Sequence, residues 1–189
     1  MVFKQEFILF DLDGTLTDPK LGITKSVQYA LKHFGIFEEN LDNLIKFIGP
    51  PLKDSFQEYY GFNDKNALIA IEKYREYFKL KGMYENSVYP MIPELLEELC
   101  HSGRKLAVAT SKPTVFAVEI LKHFGLDKYF KLIAGSNLDG SRVNKYEVIS
   151  FALNELKIED LNQVVMVGDR EYDVTGAKKV GIASIGVLY

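Results

Sequence analysis

Short runs of apolar residues, with little polar interruption, are the feature of this sequence that most restricts its fold. Four such runs lie at residues 7–10, 106–109, 132–134 and 164–167, and a fifth, at residues 182–188, closes the sequence. Apolar runs of this kind are typical of parallel strands that are buried on both faces. Helical patterns separate them at residues 113–124, 145–156 and 172–180. This alternation predicts a doubly wound α/β fold, a Rossmann-like parallel sheet.

The stretch between the first two runs breaks the alternation. From residue 18 to about residue 88 no convincing strand appears, and helical patterns fall instead near residues 21–34, 41–47, 52–60 and 65–80. Gly35, Gly61, Gly82 and the turn Gly49-Pro50-Pro51 separate these helices. We therefore predict two domains. Residues 1–17 and 84–189 form an α/β core, and residues 18–83 form a small helical domain inserted after the first strand.

Composition limits the partners and the cellular compartment. The 189 residues include 26 acidic and 23 basic ones, for a net charge of −3, and no basic block or basic-aromatic stripe favours nucleic acid as a partner. Cys100 is the single cysteine, so no intramolecular disulfide can form and a reducing compartment is the natural interpretation. The short apolar run near the N-terminus predicts neither a signal peptide nor a membrane span. A cytoplasmic location is therefore expected.

Two aspartates follow the first predicted strand, within the string Phe10-Asp11-Leu12-Asp13-Gly14-Thr15. Residues two apart on a strand point to the same side, so Asp11 and Asp13 can converge at its carboxyl end, and Gly14 lets the chain turn away. Convergent carboxylates repel unless a cation lies between them, and Mg²⁺ suits oxygen ligands that must also contact phosphate. The alternative, an acidic loop that only caps a turn, is the weaker interpretation for this string.

The string resembles the first motif of the haloacid dehalogenase (HAD) superfamily, in which the first aspartate is the nucleophile. Three further segments are similar to the other motifs of that family. Thr110, followed by Ser111, stands at the end of the second core strand; Lys145 begins a later helix; Asp169 and Asp173 follow the strand at 164–167. The family's small helical cap corresponds to the inserted domain. Relatives usually continue past the fifth strand with a helix that packs on the sheet, whereas this sequence ends at Tyr189.

An argument from topology supports the same grouping without the family. The acidic, hydroxyl and acidic elements each follow a predicted strand of the core, and the lysine follows a fourth. The loops at the carboxyl ends of the strands of an open α/β sheet share one crevice, so these groups can meet although they are far apart in sequence. Carboxylates for a metal, with a hydroxyl and an ammonium for oxyanions, make a site for phosphoryl transfer.

The resemblance implies a mechanism and a role for each residue. Asp11 attacks phosphorus to form an aspartyl-phosphate, and Asp13 is the general acid and base. The substrate is bound by Thr110, Ser111 and Lys145. The metal site for Mg²⁺ comprises Asp11, Asp13, Asp169 and Asp173, with Asp13 acting through its backbone carbonyl and Asp173 through water or by holding the lysine. The expected partner is a small phosphorylated metabolite, and the expected state a monomer or homodimer.

Within the resemblance, Asp13 and the residues that follow it favour one activity of the family over the others. Dehalogenases and phosphonate hydrolases of this family lack the second aspartate, and sugar phosphomutases carry a histidine that residues 17–27 do not contain. A phosphatase remains. The loop around Gly49-Pro50-Pro51 and the Lys145 segment resemble phosphoglycolate phosphatases, which makes phosphoglycolate the first substrate. Nucleotidase, pyrophosphatase and sugar-phosphate phosphatase remain alternatives, as does a binding protein that has lost catalysis. Arg142 and Lys25 are further candidate substrate contacts.

Overall fold

The computed structural model describes residues 4–189, which divide into two compact units. One unit is the continuous segment Asp18–Ser87, and the other combines the chain up to Thr17 with Val88–Tyr189. Within residues 4–189, the strands are β1 (Phe7–Phe10), β2 (Thr17–Asp18), β3 (Ser87–Val88), β4 (Lys105–Pro113), β5 (Phe130–Ser136), β6 (Val164–Gly168) and β7 (Ala183–Gly186). The α-helices are α1 (Lys20–His33), α2 (Leu52–Tyr60), α3 (Asp64–Tyr77), α4 (Ile92–His101), α5 (Thr114–His123), α6 (Lys145–Glu155) and α7 (Glu171–Val180).

The larger unit is built on a parallel sheet with strand order β5-β4-β1-β6-β7. β1 lies in the centre, paired with β4 on one edge and β6 on the other. Successive residues of β1 are buried on alternate faces, with Ile8 and Phe10 on one side and Leu9 on the other, which is why the strand is apolar throughout. The predicted doubly wound α/β fold is confirmed.

One face of the sheet packs against α6 and α7. Leu9, Ala107 and Met166, from adjacent strands, form a cluster with Val148 of α6 and Ala177 of α7. Small side chains on β4 allow α6 to approach the sheet closely, and this position brings the first residue of α6 toward the carboxyl ends of the strands. The core packing therefore places Lys145, the predicted contact for the phosphate of the substrate, near this end of the sheet.

The bounds of β4 differ from those predicted from sequence. The apolar run ends at Ala109, yet β4 continues to Pro113, with a shift in its pairing to β5 between Ala109 and Pro113. Because Pro113 is the N-terminal cap, α5 begins at Thr114 and not at Pro113. The polar residues 110–112 end a strand, and for that reason hydrophobic patterning could not identify them as part of it.

The smaller unit, Asp18–Ser87, is helical as predicted, with two departures. Residues Leu41–Phe47 form a 3₁₀ helix, and the third α-helix ends at Tyr77 in a π-helical turn, Phe78–Gly82. Within this unit a Cβ at Gly22 would lie 1.8 Å from the carbonyl oxygen of Gly82, so α1 and the π-turn are in backbone contact. Among residues 4–189, no helix has both the length and the apolar composition that crossing a membrane requires.

Candidate active site

The loops that follow β1 and β6 begin at the same edge of the sheet because these strands are neighbours in register. The amide of Asp11, directly after β1, donates to the carbonyl of Val167 at 2.9 Å, and Asp169 follows β6. Thr110 lies on the adjacent strand β4 and is 2% exposed. The structure thus brings together residues that are more than 150 positions apart, since the side chain of Thr15 donates to Asp169 at 3.1 Å across a separation of 154.

Three of the predicted acidic residues form a cluster. Carboxylate oxygens of Asp11, Asp169 and Asp173 lie within 4.8 Å of one another. Burial and the negative charge of Asp11 raise the pKa of Asp169, and the same two causes raise the pKa of Asp173 to about 6. Carboxylates that disfavour each other's charge are suited to a divalent cation, which relieves the repulsion and prefers oxygen ligands.

Two glycines provide the space that this cluster needs. A Cβ at Gly14, which has φ +82°, would lie 2.4 Å from a carboxylate oxygen of Asp169. A Cβ at Gly168 would lie 2.2 Å from the carboxyl carbon of Asp173. Both distances are far below van der Waals contact, so any other residue at either position would displace an acidic side chain. The backbone thus approaches Asp169 and Asp173 closely at two positions that carry no side chain.

Lys145, the first residue of α6, lies between two of these carboxylates. Its Nζ is 3.0 Å from Oδ1 of Asp11 and 2.8 Å from Oδ1 of Asp173, and it donates to the carbonyl of Ala109 at 3.2 Å. Burial disfavours the charged form of Lys145, but the two carboxylates outweigh burial and hold its pKa above the ordinary value. The ammonium is therefore charged, and it joins β1, β4, α6 and α7.

Local structure fixes the positions of Lys145 and Asp173. The backbone amide of Asn144, which caps α6, donates to Glu147 at 3.1 Å, and the amide of Arg170, which caps α7, donates to Oδ2 of Asp173 at 3.0 Å. Such contacts satisfy amides that a helix start leaves unpaired. Asp173 is thus engaged by a lysine and by a helix cap. That arrangement fits the lysine-holding role better than direct coordination of a metal.

Asp13 is not a member of the cluster formed by Asp11, Asp169 and Asp173. Its Oδ2 is 2.8 Å from Nζ of Lys112, in an ion pair whose side chains are 13% and 5% exposed. Burial raises the pKa of Asp13, although the Lys112 ammonium opposes this shift. Sequence reasoning placed Asp11 and Asp13 together but missed Lys112. Little in the sequence indicates this ion pair, because Lys112 lies two residues beyond Thr110 in a polar segment typical of a loop.

The remaining candidates have structural partners. The hydroxyl of Thr110 accepts a hydrogen bond from the amide of Lys112 at 3.3 Å, and the carbonyl of Ser111 accepts one from Ser136 at 2.8 Å. Nε of Arg142 donates to the carbonyl of Gly135 at 2.8 Å, and its guanidinium stacks 3.8 Å from the ring of Phe151. These contacts assign Arg142 to loop packing.

Lys25 belongs to the smaller unit, where its Nζ is 2.7 Å from Glu85. Glu85 also accepts from the hydroxyl of Tyr77 at 3.1 Å. The contacts of Lys25 are therefore those of a residue that holds helix α1 to the end of its own unit. They give no support to its role as a substrate contact.

Comparison with known proteins identifies the family. The model of the family described as haloacid dehalogenase-like hydrolase matches residues 8–187, nearly the whole chain. The chain belongs to this family. A 5'-nucleotidase of Pseudomonas aeruginosa is 52% identical over 182 residues, which are 96% of this chain and 82% of the relative. A phosphoglycolate phosphatase of Aquifex aeolicus is 32% identical over 190 residues, which are 96% of this chain and 84% of that relative.

A solved structure agrees with these relatives. The structure of a protein of Clostridium acetobutylicum, described as a predicted phosphatase, is 55% identical in sequence and superposes with a TM-score of 0.94. The match covers 98% of this chain and 85% of that protein. The resemblance to the haloacid dehalogenase superfamily is confirmed, and so is the expectation of an enzyme. The chain is a phosphatase of the haloacid dehalogenase type, acting on phosphorylated small molecules.

Replacing Gly14 with alanine is expected to lower kcat/KM by about 100-fold, because the new Cβ would move the Asp169 carboxylate by an ångström or more. Gly125→Ala is the matched control. Gly125 also has a positive φ of +66°, but a Cβ there would meet no atom within 4 Å. Both variants carry similar backbone strain of about 1–3 kcal/mol. Thermal unfolding should therefore shift at least as much in Gly14→Ala, which adds the clash with Asp169 to this strain, and activity should fall only in that variant; equal activities would contradict the argument.

Proposed function

We propose that this phosphatase is a magnesium-dependent nucleotidase that releases phosphate from nucleoside 5'-monophosphates through an aspartyl-phosphate. The proposal rests on one arrangement, the buried Lys145 ammonium held between Asp11 and Asp173 beside Asp169. The similarity to a 5'-nucleotidase at 52% identity supports the nucleotide class. Similarity to a phosphoglycolate phosphatase is lower, at 32%, and favours the nucleotidase alternative over phosphoglycolate.

Asp11 is the proposed nucleophile. One carboxylate oxygen forms a bond to phosphorus while the bond from phosphorus to the ester oxygen of the substrate breaks. The nucleophile and the phosphate are both anionic, and the charged Lys145, 3.0 Å from Oδ1 of Asp11, reduces their repulsion. The same position lets Lys145 contact an oxygen of the transferring phosphoryl group.

Thr110 and Asp13 complete the proposed machinery. The Thr110 hydroxyl donates to a phosphoryl oxygen, and the adjacent Ser111 contributes to the same phosphate site. Asp13 gives a proton to the departing alkoxide of the nucleoside. In the second step it takes a proton from the water whose oxygen attacks the aspartyl-phosphate, which releases phosphate and restores Asp11. Burial raises the pKa of Asp13, a shift in the direction that proton donation requires, and the Lys112 ammonium opposes it.

The acidic cluster is the proposed magnesium site. Asp11, Asp169 and the backbone carbonyl of Asp13 would hold the ion. Asp173 would act indirectly, through water or by holding Lys145. The three clustered carboxylates and the raised pKa of Asp169 fit a divalent cation. When bound, Mg²⁺ supplies positive charge that stabilises the charge developing on the phosphoryl oxygens. The smaller unit, Asp18–Ser87, is proposed to be the family's helical cap domain.

The cellular setting is part of the same proposal. A single cysteine, Cys100, fits a reducing compartment, and we place the enzyme in the cytoplasm as a monomer or homodimer.

A panel of phosphomonoesters tests the proposal. With Mg²⁺ present, nucleoside 5'-monophosphates should be hydrolysed with kcat/KM at least about tenfold above phosphoglycolate, pyrophosphate and sugar phosphates, a difference of about 1.4 kcal/mol in transition-state binding. Excess EDTA should abolish phosphate release, and added MgCl₂ should restore it. A preference for phosphoglycolate would overturn the substrate class, and undiminished activity in EDTA would overturn the metal assignment.

A further inference from the structure

Lys112 is a second buried ammonium at the site, and none of the proposed catalytic roles uses it. Its side chain is 5% exposed, and its Nζ lies 2.8 Å from Oδ2 of Asp13. The other oxygen of Asp13, Oδ1, is buried and has no hydrogen-bond partner among the residues that the structure describes. Asp13 is therefore held by an ammonium at one oxygen and has no hydrogen-bond partner at the other among the described residues.

The backbone around Lys112 is tightly constrained. Lys112 lies within the pairing shift of β4 between Ala109 and Pro113, and such irregularities redirect side chains. A Cβ at Gly135 would lie 2.3 Å from the carbonyl oxygen of Lys112, so β5 contacts this backbone directly. The amide of Lys112 also donates to the hydroxyl of Thr110 at 3.3 Å. The direction of the Lys112 side chain is thus set by the fold and not by chance contact at a surface.

The two buried lysines divide the carboxylates between them. Lys145 contacts Asp11 and Asp173, and Lys112 contacts Asp13. A buried ammonium without a carboxylate is costly, so each lysine and its partners fix one another's positions. Asp11 and Asp13, which are only two apart in sequence, are thus paired with different lysines.

We propose that Lys112 is a positioning residue for Asp13: by holding Oδ2 it fixes the rotation of the carboxyl group that gives its proton to the ester oxygen of the substrate. The inference rests on the proposed proton-transfer role of Asp13. A residue that orients the proton donor matters most for substrates whose leaving group needs a proton. It matters little for a nitrophenolate, which departs without one.

The test compares leaving groups in Lys112→Met, Asp13→Asn and the double variant. The probes are p-nitrophenyl phosphate and an alkyl phosphate, AMP or phosphoglycolate, whichever the wild-type enzyme hydrolyses faster. In Lys112→Met, kcat/KM for the alkyl phosphate should fall about 100-fold, while the pre-steady-state burst of nitrophenolate slows by less than about threefold. Asp13→Asn should show the same selectivity, and the double variant should be no slower than Asp13→Asn by more than about threefold, because both changes remove one function.

Other variants exclude a merely structural effect. Lys112→Arg keeps the cation and should recover at least about tenfold of the lost alkyl-phosphate activity. Lys122→Met, which removes an exposed lysine, should match the wild type on both probes. If Lys112→Met does not fold, two variants remain that still test the positioning role. Lys112→Arg keeps the ion pair, and the double variant removes both of its charges and so leaves no carboxylate unpaired.

The outcomes are distinct. Equal slowing of both probes in Lys112→Met, or a double variant much slower than Asp13→Asn, would overturn the positioning role alone. Equal slowing of both probes in Asp13→Asn would overturn the proton-transfer role of Asp13 and the inference with it.

Discussion

Asp11→Asn is expected to lower turnover of a phosphomonoester by about 10⁴-fold or more and to abolish the phosphoenzyme. The amide cannot attack phosphorus, whereas it occupies nearly the same volume and can still contact Lys145. Folding should therefore be retained, and removing the charge of Asp11 should relieve repulsion with Asp169. Phosphate release gives the rate, and acid quenching with labelled substrate detects the covalent intermediate.

Asp160→Asn is the matched control for this substitution. Asp160 is exposed, and its side chain accepts from the amide of Asn162 at 3.0 Å, a contact that asparagine can keep. This variant should have wild-type activity and form the phosphoenzyme normally. Substantial turnover or trapped phosphoenzyme in Asp11→Asn would remove Asp11 from its role as nucleophile.

Lys145→Met has the largest expected effect on stability. It leaves the buried carboxylates of Asp11 and Asp173 without their shared ammonium, and breaking a buried pair in this way costs about 3–5 kcal/mol. Turnover should also fall by about 10³-fold, because the charge that offsets the nucleophile and the phosphate is lost. Denaturant unfolding in EDTA measures the first effect, and phosphate release with Mg²⁺ measures the second.

A surface lysine provides the comparison. Lys105 pairs with Glu6 at 2.7 Å, with both side chains about half exposed, so Lys105→Met should cost no more than about 1 kcal/mol and leave turnover unchanged. An equally small loss of stability in Lys145→Met would mean that the buried carboxylates find other compensation. Lys145 would then not be the residue that holds the site together.

The sheet and much of the site were predictable because their signals are local. Each apolar run overlaps a strand, and residues 7–10 correspond to β1 without change. The fifth run was expected to be buried as well, but β7, at the edge of the sheet, is largely exposed. Asp11, Thr110 and Asp169 could be brought together because strands of a parallel sheet end at one edge. Lys145 needed the family resemblance, since a lysine that begins a helix is usually solvated.

The parts that sequence could not supply depend on pairing between distant segments. β4 extends past its apolar run because residues up to Pro113 follow β5, and no pattern within residues 110–113 indicates this. The Lys112–Asp13 ion pair depends on that extension. Strand spacing predicted that Asp11 and Asp13 point to the same side, but it could not show that Asp13 pairs with Lys112.

The central position of β1 has a consequence for synthesis of the protein. β1 is made before the other strands of the sheet, yet its two edges are covered by β4 and by β6, which emerge much later. The continuous segment Asp18–Ser87 is complete before either partner strand exists. A nascent chain therefore carries an apolar strand with open edges until β4 and β6 have been made. Chaperone binding to ribosome-held chains should accordingly persist until β6 is released.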